Sequence, residues 1–193
     1  MTLVIVDVGC GNIGSLRMAF ERLGIAATIS GDAAVIEAAD RVVLPGVGAA
    51  GFAMDQIRAR GLTDVLRRLR QPVLGVCLGM HLMFESSEEG DVETLGVHAG
   101  RVRRLSAAPD RPVPHMGWSR LTVSDTSSGV TSGDYVYFAH SFAADDGPAT
   151  VATADYGRAI PALVRSGNWL GTQFHPERSG AAGARVLEAF VAQ

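Results

Sequence analysis

Cysteine is nearly missing from this chain: Cys10 and Cys77 are its whole complement in 193 residues. Two thiols make no disulfide framework, and with no C-x-x-C pair a cysteine-held metal site has no scaffold. A reducing cytoplasm is therefore the expected setting, and neither a metal nor another cofactor is expected. Charge of one sign is not concentrated anywhere. Net charge is −3, with 17 basic and 20 acidic residues interspersed, so no basic block points to nucleic acid or an anionic membrane. No apolar run approaches the roughly 18 residues that a membrane-spanning helix needs. The first residues, MTLVIVDVGC, lack the positive region of a signal peptide and read as a strand. Repeats, linkers and low-complexity tracts are absent too, so residues 1–193 read as one domain.

What is present is apolar and regularly punctuated. Hydrophobic residues make up 47% and mean hydropathy is +0.19, which suits a sheet buried on both faces. In the first half, TLVIVDV, IAATI, RVVLPG and PVLGV are continuous apolar runs of strand type. Between them, IGSLRMAFERLG and AAGFAMDQIRARGLTDVLRRLR carry helical spacing, the second broken near Gly61. That alternation predicts parallel strands with helices on both faces. The second half is different. VHAGRVRRL, SRLTV, YVYFAHSF, ATVATADY, IPALVRSG and NWLGTQF predict short strands with some antiparallel pairing, and AAGARVLEAFV predicts a closing helix. The fold class is α/β, with a mixed, mostly parallel central sheet.

Three stretches carry candidate chemistry. Gly75-Val-Cys-Leu-Gly79 follows an apolar strand and precedes a helical-looking segment. In open α/β sheets reactive groups collect at the carboxyl ends of strands, and small residues around the turn allow a sharp elbow. A helix starting there would aim its free N–H groups and dipole at the sulfur, and the Leu78 amide would face a developing oxyanion. Cys77 is either such a nucleophile or a buried structural cysteine. The second stretch is GTQFHPERS, residues 171–179. Pro176 holds His175 extended, and in an extended segment Glu177 lies on the same side as the ring it would orient. Alone, H-P-E also fits a surface loop. A cysteine at one strand end and His-x-Glu at another is the layout of thiol acyl transfer. The third stretch, LPGVGAAG at 44–51, is either an ordinary glycine-rich turn or a source of backbone donors; with no G-K-[ST] it is not a phosphate loop. His81, four residues from Cys77, has no carboxylate neighbour in sequence to orient it as a base. His115 and His140 read as structural or substrate-lining, and His98 has no evident partner.

G-V-C-L-G-M, P-G-V-G and H-P-E in this order resemble the class I glutamine amidotransferases of Cys-His-Glu type. With GCGNIGSL, FESSEEG, PHMGW and YFAHS added, the chain resembles, nearly end to end, the glutaminase subunits of imidazole glycerol phosphate synthase, an enzyme of histidine biosynthesis. The resemblance implies that Cys77 attacks the glutamine amide, His175 moves the proton and Glu177 orients His175. It implies that Leu78 and Val47 hold the oxyanion, and that Gly48, His81, Ser141 and Phe142 contact the substrate. It also implies that ammonia passes to a cyclase subunit, a (β/α)8 barrel in a 1:1 heterodimer, with Asn12, Met116, Trp118 and Arg178 at or near the interface. Three positions depart from the pattern: His81 stands where Gln is expected, Ser119 where Asn is, and Arg178 where Lys is. An imidazole at position 81 is expected to titrate in its ordinary range near 6.5. The rival readings are another amidotransferase's glutaminase, a non-catalytic scaffold of the same fold and a cysteine peptidase.

Overall fold

The computed structural model describes residues 1–9 and 12–193; Cys10 and Gly11, part of the predicted turn after the first strand, lie outside the described residues. The first half runs β1 (Leu3–Val6), α1 (Ile13–Arg22), β2 (Ala27–Ser30), α2 (Ala33–Glu37), β3 (Arg41–Leu44), α3 (Ala50–Ala59), α4 (Thr63–Arg68), β4 (Val73–Val76) and α5 (Leu78–His81). The second half runs β5 (Ser86–Ser87), β6 (Val92–Glu93), β7 (Arg101–Arg104), β8 (His115–Val123), β9 (Tyr135–His140), β10 (Phe142–Ala144), β11 (Thr150–Asp155), β12 (Ala159–Ser166), β13 (Trp169–Thr172) and α6 (Gly180–Val191).

Among the described residues the main sheet has nine strands in the order β2-β1-β3-β4-β13-β12-β11-β8-β9. The strands from β2 to β13 run parallel, and β12, β11, β8 and β9 continue the sheet antiparallel. Period-two alternation explains how both faces are filled. Val4 and Val6 of β1 and Val42 and Leu44 of β3 pack against α2, α3 and α4; Leu3, Ile5 and Val43 pack against α1 and α6. The mixed sheet covered on both faces is as the sequence predicts.

Two features are not. A second sheet of four short strands, β10-β7-β5-β6, forms where one sheet was expected, and its Val102 and Ala144 join the α2–α4 side of the core. The helix expected after Cys77 is a single turn, Leu78–His81. Too few peptides align there to sum to much of a dipole.

Glycine makes the approach of β3 and β4 to that turn possible. A Cβ on Gly79 would collide with the Leu44 carbonyl, and one on Gly75 would lie 2.6 Å from the Gly79 carbonyl oxygen. Both obstacles are backbone, which cannot swing aside. Gly79→Ala is therefore expected to lower unfolding stability by about 3 kcal/mol, the upper end of overpacking penalties. Chemical denaturation measures this; an unchanged midpoint would contradict the packing described.

Candidate active site

Cys77 stands immediately after β4 with φ 51° and ψ −106°. Non-glycine residues avoid this conformation, which costs on the order of 1–3 kcal/mol and persists only where neighbours enforce it. Here the enforcement is visible. The Cys77 amide donates to the Thr172 carbonyl of β13 at 2.6 Å, and the His81 amide donates to the Cys77 carbonyl at 3.1 Å. The side chain is 7% exposed.

His175 lies three residues beyond β13, so the parallel β4–β13 pairing brings it to the sulfur. Its amide donates to the Tyr137 carbonyl at 2.9 Å, and its own carbonyl accepts from the Ser179 hydroxyl at 2.7 Å. The same hydroxyl oxygen accepts from the Tyr137 amide at 3.0 Å, which ties the segment to β9. His175 is extended, as expected (φ −95°, ψ 100°), but Pro176–Arg178 is a 3-10 turn rather than a continuation. The turn brings the buried Glu177 carboxylate alongside the ring, with Oε1 2.9 Å from His175 Nδ1. Burial by itself would push the imidazolium down. Hydrogen bonds to the Cys77 side chain and to Glu177, and the charges of both, outweigh it and raise His175 to about 10.

Sulfur and imidazole face a cavity of about 380 Å³. Val47, Gly48, Leu78, His81, Ser141, Phe142, Asn12 and Arg178, all singled out from the sequence, line it as well. Glu177 is outside the lining and supports the ring from behind. Gly48 has φ +107°, a conformation suited to glycine, in a loop that shares the cavity lining with Cys77. The sequence reading missed Glu89, which lies in the lining half-buried. Its carboxylate accepts from the Ala50 amide at 3.1 Å, and burial raises its pKa. FESSEEG looks like a surface loop, and nothing in its spacing signals that one glutamate turns inward.

His81 is not a partner of the sulfur. Its Nε2–H donates to Gln173 Oε1 at 2.7 Å, and the Gln173 amide nitrogen sits 3.9 Å from Sγ. Among the described residues, His81 Nδ1 is buried without a hydrogen-bond partner. Desolvation lowers its pKa to about 4, which corrects the expectation of an ordinary imidazole there. His140, also in the lining, is lowered to about 3, chiefly by desolvation. Met116 and Trp118 are 64% and 55% exposed on β8, away from the cavity. Trp118 meets Tyr137 edge-on at 6.0 Å, and the Arg178 guanidinium lies 4.3 Å above the Tyr137 ring, so this patch reaches the cavity mouth through Arg178.

The pattern of the glutamine amidotransferase class-I family matches residues 4–193, and the chain belongs to that family. It is 47% identical over 192 residues to the imidazole glycerol phosphate synthase subunit HisH of Xanthomonas axonopodis pv. citri, covering 98% of this chain and 96% of that one. The HisH subunit of Idiomarina loihiensis is 46% identical, covering 99% and 97%. A crystal structure of a glutamine amidotransferase superposes with a TM-score of 0.78 at 22% identity, covering 98% of this chain and 97% of that one. PurLQS from Thermotoga maritima gives 0.72 at 18%, covering 99% and 97%. These two likenesses carry the fold alone; within the class, identity places this chain among the HisH subunits.

The buried histidines set a pH profile. Unfolded, each binds a proton near pH 6.5, whereas His81 and His140 take one only near 4 or below when folded. Between these limits the unfolded chain binds protons that the native chain does not, so stability falls as pH drops from about 6.5 to 4. His175 has the opposite sign: its contribution is complete below about 6.5 and is lost as pH rises toward about 10. Unfolding midpoints are expected to peak near neutrality, and His81→Gln to flatten the acid limb. A native profile unaltered by that substitution would contradict the assignment.

Proposed function

We propose that Cys77, His175 and Glu177 hydrolyse glutamine and that the ammonia serves a cyclase subunit in making imidazole glycerol phosphate and aminoimidazole carboxamide ribonucleotide. The observation that carries this reading is the line from Glu177 through His175 to a strained cysteine at the wall of a cavity. With Nδ1 taken by Glu177, the other ring nitrogen of His175 is free for Sγ. In the ion-pair form an imidazolium stands beside a thiolate, which attacks the side-chain carbonyl carbon of glutamine. The carbonyl oxygen becomes an oxyanion, held by the Leu78 amide and a backbone donor at Val47. As the tetrahedral adduct collapses, His175 gives its proton to the departing nitrogen and ammonia leaves. The imidazole, now neutral, takes a proton from water as that water attacks the thioester, which releases glutamate and restores the pair. Glu89 is the natural partner for the α-ammonium group of glutamine, being a carboxylate in the same lining, and Ser141–Phe142 receives the α-carboxylate end.

The cyclase, a (β/α)8 barrel binding one to one, docks over Met116, Trp118 and Arg178, with Asn12 at the cavity rim. A thiol nucleophile requires reducing conditions, so the cytoplasm is part of this reading.

Cys77→Ala is expected to abolish glutamine-dependent synthesis by the complex while ammonia-dependent synthesis survives. Near-native glutaminase activity in that variant would rule the mechanism out. His175→Ala should lower the glutaminase rate by at least about 10²-fold, the usual loss for a general acid–base, and His81→Ala clearly less. The reverse ranking in steady-state kinetics would assign the base to the wrong histidine.

A further inference from the structure

The mechanism above leaves three buried histidines unused, and the hydrogen bonds of two of them, His115 and His140, run in one direction. His140 Nδ1 lies 2.8 Å from the Phe142 carbonyl oxygen, which only accepts, so this nitrogen carries the hydrogen. The other nitrogen of the neutral ring is then a lone pair. It faces His115 Nδ1 at 3.1 Å, which must donate. That leaves His115 Nε2 as an acceptor, 2.9 Å from the Ser119 hydroxyl, which donates to it. With both rings neutral, one pair of tautomers satisfies every contact. Neither ring is free to turn. His115 is stacked between Phe138, at 4.8 Å, and Tyr156, at 3.9 Å, and the Tyr156 hydroxyl is anchored on the Pro112 carbonyl.

The far end of this chain of bonds is where the backbone changes sheets. β9 ends at His140 paired with β8, and β10 begins at Phe142 paired with β7. Ser141 is the single residue between them, and no ladder holds it on both sides. Its carbonyl accepts from the Leu105 amide at 2.9 Å, and the next carbonyl is the one that His140 holds. Ser141 and Phe142 also line the cavity.

We propose that Ser119, His115 and His140 form a one-way hydrogen-bond relay that fixes the Phe142 carbonyl, beside the Ser141 carbonyl that the Leu105 amide holds, and thereby positions the wall that receives the amino-acid end of the substrate. The proposal rests on the reading of this cavity as the glutamine site. The three are positioning residues: the relay acts on how substrate is held, not on the attacking sulfur. The Phe142 carbonyl sets the polarity of both rings, and the Ser119 hydroxyl closes the relay by donating to the one ring nitrogen left as an acceptor.

The test uses the full chain with its cyclase partner. His115→Phe keeps an aromatic ring in the stack and removes both hydrogen bonds. Its KM for glutamine is expected to rise about tenfold, the scale of one lost buried hydrogen bond, with kcat little changed. Ser119→Ala, at a half-buried position, should raise KM by a smaller factor, and Ser119→Thr, which keeps the hydroxyl, should restore it. Long-range ¹⁵N NMR of the native chain should show both rings as the Nδ1–H tautomer. A properly folded His115→Phe variant with native KM, a Ser119→Ala variant with native KM, or an Nε2–H tautomer at either ring would overturn the relay. A native complex with no glutaminase activity would overturn the reading of the site, and the relay's role with it.

Discussion

The amide of Cys77 donates to the carbonyl of Thr172 at 2.6 Å, one rung beyond the parallel ladder that joins Val73–Val76 to Trp169–Thr172. Residues 73–77 and 169–175 are nearly a hundred positions apart in sequence, and this pairing brings their ends together. It fixes the strained cysteine in place and carries the chain on to His175. It also explains the glycines around the elbow: β3, β4 and the turn at Leu78–His81 approach so closely that a side chain at Gly79 would meet the Leu44 carbonyl. The strain at Cys77 is thus sustained by packing that extends through the centre of the sheet.

Electrostatics then separate the buried histidines by their neighbours. His175 has a carboxylate on one nitrogen and sulfur on the other, and it holds its proton to about 10. His81, His115 and His140 are offered only neutral partners, and desolvation lowers them to about 4, 4 and 3. Similar side chains in one region therefore differ in charge. One keeps its proton at neutral pH, while the others stay uncharged. Three imidazolium ions packed beside a fourth would repel one another, so neutrality of the others also protects the charge on His175.

Much of this was legible in the sequence because it depends on local pattern. Continuous apolar runs marked the parallel strands, and G-V-C-L-G and H-P-E marked the two strand ends that meet. The rest depends on long-range contacts that periodicity does not record. The small second sheet consists of strands as short as Ser86–Ser87, which leave no pattern. Glu177 meets His175 through a 3-10 turn rather than an extended strand, although the proline that forces the turn is plain to see. Glu89 turns inward because the Ala50 amide, 39 residues away, donates to its carboxylate. The lowered pKa of His81 is not legible in the sequence, because its partner, Gln173, comes from the other end of the chain and its burial cannot be read from spacing.

The account stands or falls on the reactivity of one sulfur toward a glutamine-shaped electrophile. A glutamine analogue carrying a diazoketone in place of the side-chain amide is expected to enter the same cavity and alkylate Cys77. After reaction of the complex, peptide mass spectrometry is expected to find a single adduct on Cys77, and added glutamine to slow its formation. An adduct on Cys10 or elsewhere, or labelling of Cys77 that glutamine does not retard, would contradict the assignment of this cavity as the glutaminase site.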